Sequence, residues 1–256
     1  MSKDSDNPLH MIADPYAGDG FVFPETPCTE QRRSWFRRAN EISGFLMTTE
    51  LALKECKMKY EQIAAQKRLK PDTPFKLGSS DGRSVITPLG TFLKQFADGV
   101  DVLCRQVFVM YYGSLETYLF ELIERSYPEI GISEDLLQSS LGIMMGSNWD
   151  GKFCKMRDVF GINYKASDIR NHFSSFEMDF EGKKFQNPLL FLDELAQVRH
   201  RIVHASSILE TGQAIYINAQ VFHAHYAFCA LLTDYIDSLF SKKFNYERIM
   251  INPAKA

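Results

Sequence analysis

Two arginines and two histidines occupy six consecutive positions, Arg199-His200-Arg201-Ile202-Val203-His204, inside the stretch QVRHRIVHASS. An imidazole titrates near neutral pH and can take or give a proton, whereas a guanidinium is a permanent cation shaped for phosphate or carboxylate. On a helical wheel Leu192, Leu195, Arg199, Ile202 and Val203 share one face, so Arg199 is expected to interrupt a buried stripe. A guanidinium placed there requires a carboxylate, a phosphate or a second protomer. Asp193, Gln197, His200 and His204 form the neighbouring polar face. Arg199 and His204 lie about 140° apart on an ideal helix, which favours a groove edge between helices or subunits over a closed core.

Plainer roles exist for the same residues. A structural ion pair at Arg199 beside two surface histidines needs no ligand, and an Arg-x-x-x-x-His spacing arises readily by chance. His200 and His204 also have the i, i+4 spacing of helical metal ligands. No glutamate lies between them, Arg201 is a poor neighbour for a dication, and a third ligand would have to come from His223, His225 or Asp193. No metal is therefore expected, and His223 and His225 read as packing or surface residues. A second cationic cluster, RRSWFRR, sets Arg32, Arg33, Arg37 and Arg38 around Trp35 and Phe36. Either it tracks a phosphate backbone, with Arg37, Arg38 and Arg201 as weak RNA contacts, or it is a solvated helix face with Trp35 packed inward. Walker A, G-x-G-x-x-G and G-x-S-x-G patterns are absent, so neither a phosphate loop, a hydrolase elbow nor a cofactor is expected.

The elements that must position these residues are mostly helical. Of the 256 residues 45% are hydrophobic and 13% aromatic, enough for a continuous core. A net charge of −3 argues against a blanket nucleic-acid coat, though not against a local basic patch. The five cysteines are scattered and read as reduced thiols; with no apolar leader and no apolar run of membrane-spanning length, a cytoplasmic protein without a membrane partner is expected. Residues 1–30 read as a loose arm and 31–256 as one helical domain. Apolar spacing predicts a helix from Ser34 closed by Pro71 and Pro74, then a small hairpin over FKLGSSDGRSVI. A long helix from about Leu89 to Ser126 follows, with Gly99 and Gly113 as possible bends and Pro128 as its stop. Shorter helices are expected near 133–145, 149–160 and 167–177, and a second turn or hairpin around 177–187. The motif helix opens at Asn187-Pro188, AIYINA reads as extended, and a last helix runs from about Gln220 to Lys242. The fold class is all-α: a bundle of four to five main helices with small β-hairpin insertions.

The motif Arg199-His200-Arg201-Ile202-Val203-His204, late in a helical chain and followed by a further helix, resembles the Arg-polar-x-x-x-His signature of HEPN-domain proteins. The phrase YYGSLETYLFELI (111–123) is similar to the long acidic-aromatic helix of that family. The resemblance covers about residues 90–240 and leaves the N-terminal third without a counterpart. It implies a HEPN-like bundle acting as a homodimer, and metal-independent RNA cleavage at the cleft between protomers. His204 would then serve as general base or acid and Arg199 would hold the phosphate. His200 would orient the pair or contact RNA, and Glu116 would partner Arg199. A toxin or antiviral defence role, with an antitoxin or regulatory partner, follows from the resemblance alone. Ser206 stands where some HEPN toxins carry a modified tyrosine, so that control is not expected. A non-catalytic HEPN-like binding or dimerisation module is the alternative.

Overall fold

Thr29 has extended backbone and its hydroxyl accepts the Arg32 N–H, which lets helix α1 (Glu30–Gln66) begin ahead of the expected Ser34. The computed structural model describes residues 27–78, 84–162, 177–180, 183–204, 217 and 219–249. After α1 come strands β1 (Pro74–Gly78) and β2 (Ser84–Pro88), then α2 (Leu89–Ile130), α3 (Glu134–Met145) and α4 (Trp149–Phe160). Strands β3 (Met178–Phe180) and β4 (Lys183–Phe185), then α5 (Pro188–His204) and α6 (Ala219–Phe244), complete the order. Both expected hairpins are present as antiparallel pairs, with Lys76 opposite Ile86 in the first and Asp179 opposite Lys184 in the second. The expected helix at 167–177 lies outside the described residues. So does AIYINA, except for buried Ile217 and for Ala219, which opens α6.

One expectation fails at Pro128, which does not stop α2. The helix continues to Ile130 and closes at Gly131, whose φ of 66° supplies the left-handed turn. So close to the helix end, a proline forfeits one of the last ladder bonds and does not break the helix in two.

Four long helices meet in an aromatic core. Trp35 and Leu46 of α1, Tyr111, Leu115 and Tyr118 of α2, Leu192 and Leu195 of α5, and Phe222 and Phe228 of α6 are fully buried. Among buried residues α1 enters that core as far as Leu46 and α2 from Leu103, with half-buried Val100 packed against it. Beyond those points α1 and α2 continue as an antiparallel pair. A separate aromatic cluster ties them to the first hairpin: Tyr60 against Phe92 at 4.9 Å, Phe75 against Phe92 at 4.6 Å and Phe92 against Phe96 at 5.0 Å. From Met47 to Gln66 this arm measures about 30 Å.

At the other end the chain is clasped. Cys28 and Ile249 exchange backbone hydrogen bonds at 3.1 Å, and the Thr29 backbone and hydroxyl both donate to buried Asp237. Arg32, 4% exposed, meets Asp234 at 2.6 Å. All five cysteines are free thiols. Among the described residues no helix is long and apolar enough to cross a membrane.

Candidate functional site

Asn187 opens α5, its side-chain oxygen accepting the Leu189 N–H at 3.0 Å. The buried stripe of α5 then runs through Phe191, Leu195, Val198 and Ile202. This corrects the wheel drawn from sequence at one residue: Val203 is 47% exposed, and Val198 is fully buried in its stead. Leu192, Leu195 and Ile202 are buried, and half-buried Arg199 shares their face. A valine in a last exposed turn need not be core.

Arg199 is half-buried on the α2 side of α5, where its charge acts on the half-buried carboxyl of Glu116. Burial raises the Glu116 pKa above the ordinary carboxylate value, opposed by the charges of Arg199 and Lys152. The expected partners are thus neighbours, but no ion pair forms between them among the described residues. The Arg199 Nε is buried and makes no hydrogen bond. Arg201 borders the stripe on its other side, its guanidinium 3.5 Å from Glu194, which also meets Lys183 at 3.1 Å.

His200 and His204 point to solvent between these flanks, their rings 4.7 Å apart and inclined by 43°. Beside them lies an open groove of about 540 Å³. One wall carries Asp193, Gln197, His200 and Arg201 from α5; the other carries Ser147 and Asn148 from the elbow between α3 and α4. Two contacts set this groove. Asp193 accepts the Trp149 N–H at 2.8 Å, fastening the start of α4 to α5. Lys152, 3% exposed, donates to the carbonyls of Met144 at 3.2 Å and Ser147 at 2.7 Å. Burial lowers its pKa, opposed by Glu116 and Asp193.

Sequence reasoning overlooked Lys152, although a signal existed. Trp149, Phe153, Met156 and Phe160 make the buried stripe of α4, and a lysine three residues after Trp149 lies on it. A buried ammonium needs acceptors, and the frayed end of α3 offers them.

His225 is fully buried against Phe108 at 4.8 Å and Tyr111 at 5.4 Å. It is a packing residue, as expected; the side chain of His223 lies outside the described residues. No cluster of three metal-ligating side chains occurs among the described residues. In the RRSWFRR cluster Trp35 is fully buried, Arg33 meets Glu30 at 3.1 Å, and Arg38 grips Glu121 with two bonds of 2.6 and 3.0 Å. Only Arg37 of that cluster is exposed, and the cluster belongs to α1, not to the groove beside His200. No family model, curated protein or solved structure matches the chain.

Proposed function

We propose that the chain is a HEPN-type endoribonuclease that needs no metal and cleaves RNA at a homodimer cleft through Arg199 and His204. The observation that carries this reading is the pair of exposed imidazoles, His200 and His204, with rings 4.7 Å apart, next to an open groove lined by His200 and Arg201, on the same helix as half-buried Arg199. RNA supplies its own nucleophile in the 2′-OH. His204 takes that proton while the 2′-oxygen attacks the adjacent phosphorus, and a protonated imidazole, from the second protomer in a dimer, delivers a proton to the leaving 5′-oxygen. The bond from phosphorus to the 5′-oxygen breaks, leaving a 2′,3′-cyclic phosphate and a 5′-hydroxyl. Arg199 holds the additional negative charge of the transition state, with Glu116 steering the guanidinium from α2. His200 orients its neighbour. A toxin or defence role with a protein regulator fits such an activity.

The direct test is incubation of purified protein with RNA in EDTA. Cleavage that persists in EDTA and falls by at least 100-fold in both Arg199→Ala and His204→Ala is expected. Cleavage unchanged in both variants sinks the assignment. A second reading has its own support, because buried Lys152 and half-buried Glu116 and Arg199 form a charged set that joins α2, α4 and α5. Such a set can hold a binding or dimerisation module with no chemistry. Under that reading RNA stays intact in every condition, while Arg199→Ala lowers the melting temperature or dissociates the dimer.

A further inference from the structure

The first cationic cluster of the chain, around Trp35, is largely consumed by carboxylates, as the pairs of Arg32, Arg33 and Arg38 show. Uncommitted positive charge lies elsewhere, at the tip of the arm. Lys67, Arg68 and Lys70 follow the end of α1 and Lys76 lies on β1, all four exposed. None of them has an ion-pair partner among the described residues, whereas Lys54, Lys57 and Lys94 farther along the arm are paired within their own helices. Over residues 67–78 the four cations face a single carboxylate, Asp72.

This tip is fixed. The Leu69 N–H reaches the Ala64 carbonyl at 2.8 Å and the Arg68 N–H reaches Ala65 at 3.1 Å, the two bonds of a Schellman motif. Thr73 then bonds Lys70 in both directions, and the Leu89 and Gly90 N–H groups bond Thr73 and Pro71. In that motif Arg68 occupies the left-handed position, φ 51°, which glycine fills without strain. An arginine where glycine fits without strain keeps a fourth cation beside three lysines that have no ion-pair partner among the described residues.

We propose that the arm tip is a docking surface for the phosphate backbone of single-stranded nucleic acid, separate from the groove on α5. The cations are spread over a helix end and a strand, which suits a phosphodiester track better than a lone phosphate. Exposed Val85 and Ile86 on β2, the latter opposite Lys76, offer aliphatic contact to sugars and bases. A bilayer surface fits less well. Interfacial binders present Trp or Phe, and here Tyr60, Phe75 and Phe92 are packed against one another inside the arm. Measured along α2, the tip at Leu89 lies about 40 Å from Glu116, so a bound strand at the tip leaves the groove free.

The test measures binding of a fluorescent 20-nucleotide RNA to the full chain in EDTA between 50 and 200 mM salt, alongside vesicles containing anionic phospholipid. Where the RNA is cut, His204→Ala serves as the parent protein. Four phosphate contacts predict a slope of about −3 for log K against log salt, a loss of roughly 50-fold over that range. The quadruple variant Lys67→Gln, Arg68→Gly, Lys70→Gln, Lys76→Gln is expected to retain its helical circular dichroism and to lose this slope. Unaltered binding in that variant, no binding at 50 mM salt, or capture by vesicles but not by RNA overturns the proposal. Binding does not depend on cleavage, and cleavage of a dinucleotide reports on α5 alone, so the two proposals fail separately.

Discussion

Histidine 225 and the pair on α5 show how position alone separates three imidazoles. Burial with both ring nitrogens unpaired pulls the His225 pKa down from 6.5 to about 3, so the folded chain carries it neutral. Above pH 6.5 folded and unfolded chains bind the same number of protons there. Between pH 6.5 and 3 only the unfolded chain is protonated, so stability falls as pH drops, by at most ~1.4 kcal/mol per pH unit. Glu116 and Asp237 act in the other direction, because their raised pKa values favour proton uptake by the folded chain. His225→Phe removes the histidine contribution alone and suits the ring cluster of Phe108 and Tyr111. Urea unfolding at pH 7 and pH 5 is expected to show a smaller loss on acidification than in the parent chain; an equal loss refutes the account. Which histidines were exposed was legible in part: on the polar face of Asp193, Gln197, His200 and His204 the last three are exposed and Asp193 is half-buried. The exposure of Val203 was not, because a wheel cannot tell which apolar residues of a last turn find a neighbour.

At the scale of elements, the end of α1 carries the clearest conflict between local preference and sequence. Arg68 sits where a left-handed backbone costs an L-residue about 1–2 kcal/mol, while glycine adds ~0.5–1 kcal/mol of unfolded-chain freedom. Arg68→Gly is therefore expected to stabilise the chain by a net ~0.5–1 kcal/mol, read as a raised melting temperature at high salt, where charge effects are screened. A lowered melting temperature contradicts the Schellman assignment. Other signals were legible from local chemistry: Asn187 as a helix start, and the first hairpin from the turn residues in FKLGSSDGRSVI. Pro128 misled because its rule concerns helix interiors, and the clasp of Thr29 was missed because its partner, Asp237, lies over two hundred residues away. Tertiary partners of that kind leave no mark in a local window.

For the whole molecule, the periodicities of α1 and α2 implied two long helices but not that each serves two clusters. Residues up to Leu46 and from Leu103 are buried in the common core, with Val100 packed against it, whereas among the described residues the outer parts meet chiefly each other and the first hairpin. An element with few buried contacts opens more readily than the core it extends. The arm should therefore behave as a cooperative unit of lower stability, fastened by Tyr60, Phe75, Phe92 and Phe96. Native-state hydrogen exchange is expected to show amides of 47–66 and 89–100 exchanging at least tenfold faster than those of 35–46 and 103–123. Phe75→Ala removes the ring stacked on Phe92 and one edge of Tyr60, at a cost of roughly 2–3 kcal/mol because the site is only half-buried. That loss should appear as faster exchange within the arm while the bundle, its groove and any cleavage are unchanged. Equal acceleration in arm and bundle would show that α1 and α2 unfold as single rods, and that the tip cannot move independently of the site on α5.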